Sequence, residues 1–210
     1  MKVIAVASQK GGSGKTTLAG HIAVQAERVG GGPVALVDTD PQGSLAAWWN
    51  VRQPETPVFA ATDIEHLAEA IRRMRALGMR LLVIDTPPAI ATTIAEVVRL
   101  SDLVIIPARP SPHDLRAIGA TVEIAKKAGK PFLFVLNGAA PRANITAEAV
   151  AALSEHGPVA PVILHQRTDY AVSMIDGRTV METAPTGRSA QEIADLWKYL
   201  YPRISMRVAA

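Results

Sequence analysis

The chain has 210 residues, 49% hydrophobic, 20% charged and 4% aromatic, with a formal net charge of +3. These proportions fit one globular domain with a substantial core and argue against a disordered or fibrous chain. With no cysteine it can hold neither a disulfide nor a thiolate-ligated cluster, and its small positive excess permits a polyanionic partner without requiring one.

In chain order, Val3-Ile4-Ala5-Val6-Ala7 is an apolar run of the length of one buried strand. The amino terminus enters it directly, without the basic segment and long apolar core of a leader, so a cytoplasmic protein is expected. Nowhere does the sequence approach the ~18 consecutive apolar residues of a membrane span, and stable membrane insertion is not expected. From Thr17 onward, Leu18, Ile22 and Ala26 have helical spacing, and Gly30-Gly31-Gly32-Pro33 stops that helix. Further strands are expected at 33–37, 80–84, 103–106, 131–136 and 159–164. Helices are expected over 63–78, 112–128 and 190–201. Thr62-Asp63-Ile64-Glu65 and Ser189-Ala190-Gln191-Glu192 have the spacing of capping boxes, and Ser111-Pro112 places proline at a first helical position. Strands alternating with helices imply right-handed crossovers and an α/β fold, a mostly parallel twisted sheet with helices on both faces. One domain is expected over 1–202, with 203–210 as a short basic tail.

Residues 10–17 read Lys10-Gly11-Gly12-Ser13-Gly14-Lys15-Thr16-Thr17, between the first strand and the first helix. Gly11, Gly12 and Gly14 let the backbone come close to an anion, so that successive N–H groups and the helix N-terminus surround phosphate oxygens. Lys15 then reaches the β- and γ-phosphates, and the Thr16 hydroxyl suits Mg²⁺. The first glycine of the ordinary G-x-x-x-x-G-K-[ST] pattern is replaced by Gln9, and a second lysine, Lys10, stands five residues before the usual one.

Two carboxylates, Asp38 and Asp40, follow the second strand in Val37-Asp38-Thr39-Asp40-Pro41-Gln42-Gly43, at the edge of the sheet where ligands of open α/β sheets bind. Asp38 is a candidate to hold magnesium through water, and Asp40 to position the attacking water. The plainer alternative is a turn rich in Asp and Pro that caps the next helix. The run Leu81-Leu82-Val83-Ile84-Asp85 ends on a carboxylate whose charge belongs near a metal. Asn137 closes another strand at the same edge, with a turn asparagine as the alternative.

With this loop and these aspartates, the chain resembles the ParA/MinD family of deviant Walker A P-loop ATPases, closest to the small plasmid-type (ParF-like) partition proteins. The resemblance covers nearly the whole chain, and Asp38-Thr39-Asp40-Pro41-Gln42 matches the family's D-x-D-P-Q segment. It implies a single-domain P-loop NTPase fold that binds ATP with Mg²⁺ and hydrolyses it slowly. Lys10 contacts nucleotide across a homodimer, Asp40 serves hydrolysis, and Asn137 meets the base. Thr16, Asp38 and Asp85 serve the metal, while 11–17 cradle phosphate. Also implied are non-specific DNA binding, nucleoid association when ATP-bound, and stimulation by a ParB-like or other centromere- or cargo-binding protein. For DNA the candidate basic residues are Arg167, Arg178, Arg188, Lys198, Arg203 and Arg207. An alternative, a MinD-like membrane switch, would use the helical stripe Ile193, Leu196, Trp197 and Leu200. Iron–sulfur relatives with the same loop need cysteines, which this chain lacks.

Overall fold

The computed structural model describes residues 1–141 and 143–205. Strands and helices alternate along it: β1 Lys2–Val6, α1 Lys15–Arg28, β2 Val34–Asp38, α2 Ser44–Asn50, β3 Val58–Phe59, α3 Leu67–Ala76, β4 Leu81–Asp85 and α4 Ala91–Leu100. The second half adds β5 Leu103–Ala108, α5 Pro112–Lys127, β6 Phe132–Ala139, α6 Asn144–Ser154, β7 Leu164–His165, α7 Thr168–Ser173, α8 Val180–Thr183 and α9 Arg188–Ser205. The strands form one seven-stranded sheet in the order β3-β2-β4-β1-β5-β6-β7, every pairing parallel.

The central strands are apolar at almost every position because both faces are covered. From Val3 to Ala7, from Val34 to Val37 and from Leu81 to Ile84 all side chains are buried. On one face α1, α2, α8 and α9 pack over Ile4, Val6, Leu36 and Val83. On the other, α3 to α6 cover Val3, Ala5, Ile106 and Phe134. The stripe Ile193, Leu196, Trp197 and Leu200 belongs to the first of these cores. It faces inward, which removes the surface that a membrane-switch reading needs. Among the described residues no helix is long and apolar enough to cross a membrane.

Register positions the site. β4 inserts between β1 and β2, and Asp85 stands level with both Val6 and Asp38. The two strand-end carboxylates therefore share one edge, beside the loop that leaves β1. This is the crevice outside the carboxyl ends of parallel strands.

Several local expectations change. The strand expected at 159–164 shrinks to Leu164–His165 plus a single bridge between Phe134 and Val159, because Pro158 and Pro161 lack the N–H groups a ladder requires. The helix expected from 63 begins at Leu67: Asp63, not Thr62, is the acceptor, taking the His66 N–H at 2.8 Å. Ser189 does not cap the last helix, which starts one residue earlier. Its hydroxyl donates instead to Asp169 at 3.0 Å. The reciprocal box is at Thr179 and Glu182, where Glu182 Oε2 accepts the Thr179 N–H at 2.9 Å. Ser111 does cap α5, accepting from the Asp114 N–H, with Pro112 at the first helical position. The last helix passes through Pro202 to Ser205, and Ile204 on it is buried.

Candidate nucleotide site

The glycine-rich loop leaves β1 at its carboxyl end and enters α1 at Lys15. Gly14 occupies the left-handed region at φ +92°, and a Cβ there would stand 2.1 Å from Asn137 Nδ2. Both features require glycine. Asn137 reaches this close because its Nδ2 donates to the Ser13 carbonyl at 2.8 Å. The amide expected to meet a base thus fixes the loop, from a position on the wall of the adjoining cleft.

Inside the loop, the Lys15 ammonium donates to the Lys10 carbonyl at 3.2 Å, and the Ser13 hydroxyl donates to the same oxygen at 3.3 Å. Burial lowers the Lys15 pKa, against the opposing charges of Asp85 and Asp40. Lys15 is 7% exposed, so its charge is held where a polyphosphate would be most strongly attracted. Lys10 lies half-buried at the rim, its N–H donating to the Ser8 hydroxyl at 3.2 Å.

Thr16 donates its hydroxyl to Asp85 Oδ2 at 2.6 Å. The other oxygen, Oδ1, is buried and has no hydrogen-bond partner among the described residues. Burial pushes the Asp85 carboxyl up to about 7; the Thr16 hydrogen bond and Lys15 pull it down, while Asp38 and Asp40 push it further up. A cation there would relieve both the orphaned oxygen and the crowding of carboxylates. The donors are hard oxygens, which suit Mg²⁺. No larger cluster of acidic, His or Cys ligands occurs among the described residues, and Mg²⁺ is commonly held by one or two protein oxygens with phosphates and water.

Asp38 and Asp40 are brought to this edge with different duties. Asp38 Oδ1 accepts the Asp40 N–H at 2.9 Å, and its Oδ2 accepts from Leu45 at 2.9 Å and Ala46 at 3.1 Å. It caps α2, whose exposed N–H groups favour a carboxylate. Asp40 makes one contact of this kind, from the Gln42 N–H at 3.0 Å. Thr39 ties the segment to β4, its N–H and hydroxyl both donating to the Asp85 carbonyl, at 3.0 and 2.7 Å.

Beside the loop lies a cleft of about 160 Å³ lined by Gly14, Thr17, Arg109, Asn137, His165 and Arg167, among others. Arg167 is expected on a DNA surface, but its side chain is only 22% exposed and pairs with Glu192 at 2.7 Å. The other members of that basic set are largely engaged as well. Arg178 forks Asp176, Lys198 pairs with Asp195, and the Arg203 guanidinium stacks 3.4 Å over Tyr199. Arg188 is exposed, and Arg207 lies outside the described residues. Sequence reasoning does not find Tyr170, Glu192 or the buried His21. No short motif marks their roles: Glu192 carries only the spacing of a capping box, its partners lie 22 to 27 residues away, and His21 meets Val180 across 159 residues.

A strand, a glycine-rich loop and a helix, with a buried lysine and a threonine hydrogen-bonded to a strand-end aspartate, define a P-loop nucleotide-binding fold. Residues 4–180 match the CobQ/CobB/MinD/ParA nucleotide-binding domain family, and the chain belongs to it. The maintenance of carboxysome distribution protein A of Halothiobacillus neapolitanus is 32% identical over 200 residues, spanning 90% of this chain and 91% of that protein. A protein of the same name from Gloeobacter kilaueensis is 33% identical over 197 residues, spanning 91% and 88%. Among solved structures, a chain of the MinC:MinD cell division complex of Aquifex aeolicus matches with a TM-score of 0.79 at 17% identity, covering 100% of this chain and 99% of its own. An ATP complex of a Cyanothece McdA variant matches at 0.77 and 17%, covering 100% and 98%. At such identities the structures speak for the fold alone.

Proposed function

We propose that the protein is a ParA-type ATPase that positions a cargo: two copies close over two ATP molecules, bind DNA non-specifically in that state, and separate after hydrolysis stimulated by a partner protein. Its location is then nucleoid-associated while ATP is bound. Similarity to carboxysome-distribution proteins along almost the full chain favours a protein assembly as cargo over a plasmid. The observation that carries the ATPase reading is the join of Thr16 to Asp85 beside the buried Lys15.

The loop N–H groups and Lys15 bind the phosphates, and Lys15 leaves the Lys10 carbonyl to do so. Thr16 and Asp85, with Asp38 through water, are the residues to hold Mg²⁺, which neutralises charge developing on the transferred phosphoryl group. Asp40 orients the attacking water. Its carboxylate is the less committed of the pair, with one backbone N–H against three for Asp38. Lys10, at the rim of the loop, extends to the nucleotide of the second copy.

Sedimentation with Mg²⁺ and ATP tests this reading on three proteins. Wild type should shift from monomer to dimer. Lys10→Ala should remain monomeric while still binding ATP, and Asp40→Ala should remain dimeric because it cannot hydrolyse. Dimerisation of Lys10→Ala equal to wild type would overturn the trans role. For the DNA contact, affinity that does not fall as salt rises would count against it.

A further inference from the structure

Four hydrogen bonds converge on one carboxylate behind the wall of the cleft beside the phosphate loop. Glu192, in the second turn of α9, accepts at Oε1 from His165 Nδ1 at 2.8 Å and from Arg167 Nη2 at 2.7 Å. At Oε2 it accepts from the His165 N–H and the Tyr170 hydroxyl, both at 3.1 Å. The Glu192 side chain is 13% exposed. All three partners line the cleft beside Gly14, Thr17 and Asn137. Arg167 Nε is buried and has no partner among the described residues, which leaves an N–H donor there without an acceptor from them. Buried donors in folded proteins are nearly always matched, and an unmatched one beside a cleft points to a ligand acceptor.

We propose that Glu192 is a positioning residue for the nucleoside end of the nucleotide site, holding Arg167, His165 and Tyr170 as one wall so that Arg167 Nε–H meets an acceptor on the ribose or base. This rests on the nucleotide reading of the loop. The carboxylate suits that role. Burial raises its pKa, but hydrogen bonds from Arg167 and His165 outweigh that and leave it lowered and ionised. A charged acceptor fixes a guanidinium more firmly than a neutral one. Glu192 sits on α9, which packs against α1 through Leu196, Trp197 and Leu200. The last helix thereby takes part in binding although none of its residues lines the cleft.

A plain structural staple between α9 and β7 would affect every ligand of the site alike. Positioning of the nucleoside wall affects only ligands that carry a nucleoside. Titration calorimetry of the full chain with Mg²⁺ therefore compares ATP with inorganic tripolyphosphate, which shares the phosphate chain alone. Glu192→Gln should weaken ATP by about tenfold and tripolyphosphate by less than about twofold. Arg167→Met should do the same. The double variant should lose little more than either single one, because both remove one interaction. Unchanged ATP affinity in Glu192→Gln, equal loss for both ligands, or additive losses in the double variant each overturn the proposal. Should Glu192→Gln not fold, Glu192→Asp keeps the charge, shortens the reach and carries the same expectation. Wild-type protein that binds neither ligand overturns the nucleotide reading itself, a separate outcome.

Discussion

The two ends of the nucleotide site are built in different ways. The phosphate end is mostly one piece of chain: Lys10 to Thr17 form the loop and the start of α1, and Asp38, Asp40 and Asp85 join it from the ends of β2 and β4. The proposed nucleoside end draws on more distant pieces: Arg109 after β5, Asn137 of β6, His165 of β7, Arg167 and Tyr170 beside and on α7, and Glu192 of α9 behind them. A local site depends on its own backbone conformation. A dispersed one depends on the packing that brings its elements together, so substitutions far from any ligand test whether the two separate.

The largest such effect is expected at Arg52. Its guanidinium, 3% exposed, pairs with Glu182 at 2.7 Å and donates to the Gly177 carbonyl, also at 2.7 Å, tying the end of α2 to the segment that enters α8. Arg52→Ala leaves the Glu182 carboxylate largely buried without its cation and should cost about 3–5 kcal/mol in urea-monitored stability. Near the unfolding midpoint the apparent affinities for ATP and tripolyphosphate should fall by the same factor, the folded fraction, whereas a larger fall for ATP would show that the nucleoside end opens separately.

A smaller effect is expected from pH. His21 on α1 is fully buried; its Nδ1–H donates to the Thr17 carbonyl at 2.7 Å and its Nε2 accepts the Val180 N–H at 3.3 Å. Burial lowers its pKa to about 4, against raising contributions from the Thr17 bond and Glu182. The unfolded chain takes up a proton near pH 6.5 that the folded chain refuses until about 4. This contribution to stability is therefore complete above pH 6.5 and is lost as pH falls toward 4, by about 3 kcal/mol in all. Denaturant titrations of wild type and His21→Asn across that window should diverge, with the variant losing the slope. A slope retained in the variant would assign it to carboxylates instead.

The smallest effect serves as the control. Ser111→Ala removes the α5 cap, outside both ends of the site, and should cost about 1 kcal/mol without changing affinity for either ligand. A change in affinity would mean that the site senses overall stability rather than its own contacts.

What is legible in the sequence follows the same division. The apolar runs of β1, β2, β4, β5 and β6 stand out because strands buried on both faces admit few polar residues. The phosphate loop and the aspartate at the end of β4 are legible because their spacing is fixed by backbone geometry over a few residues. Glu192 reads as the partner of Ser189 in a capping box, since local spacing is the only signal it offers. In the fold the helix begins before Ser189, and the carboxylate is taken by β7 and α7. Arg167 reads as a surface arginine for the same reason, its partner lying 25 residues away.

By itself the sequence determined the sheet's core strands and the glycine-rich loop between β1 and α1, and it marked Lys10, Lys15, Asp38, Asp40 and Asp85 as candidates, because each of these signals rests on spacing between near neighbours or on burial of a continuous run. Only the tertiary structure decided that Asp38 caps α2, that the α9 stripe faces the core, and that Glu192 stands behind the cleft and holds Arg167, His165 and Tyr170, which line it. Those assignments depend on which distant donors meet which acceptors, and that is set by sheet order and helix packing rather than by spacing along the chain.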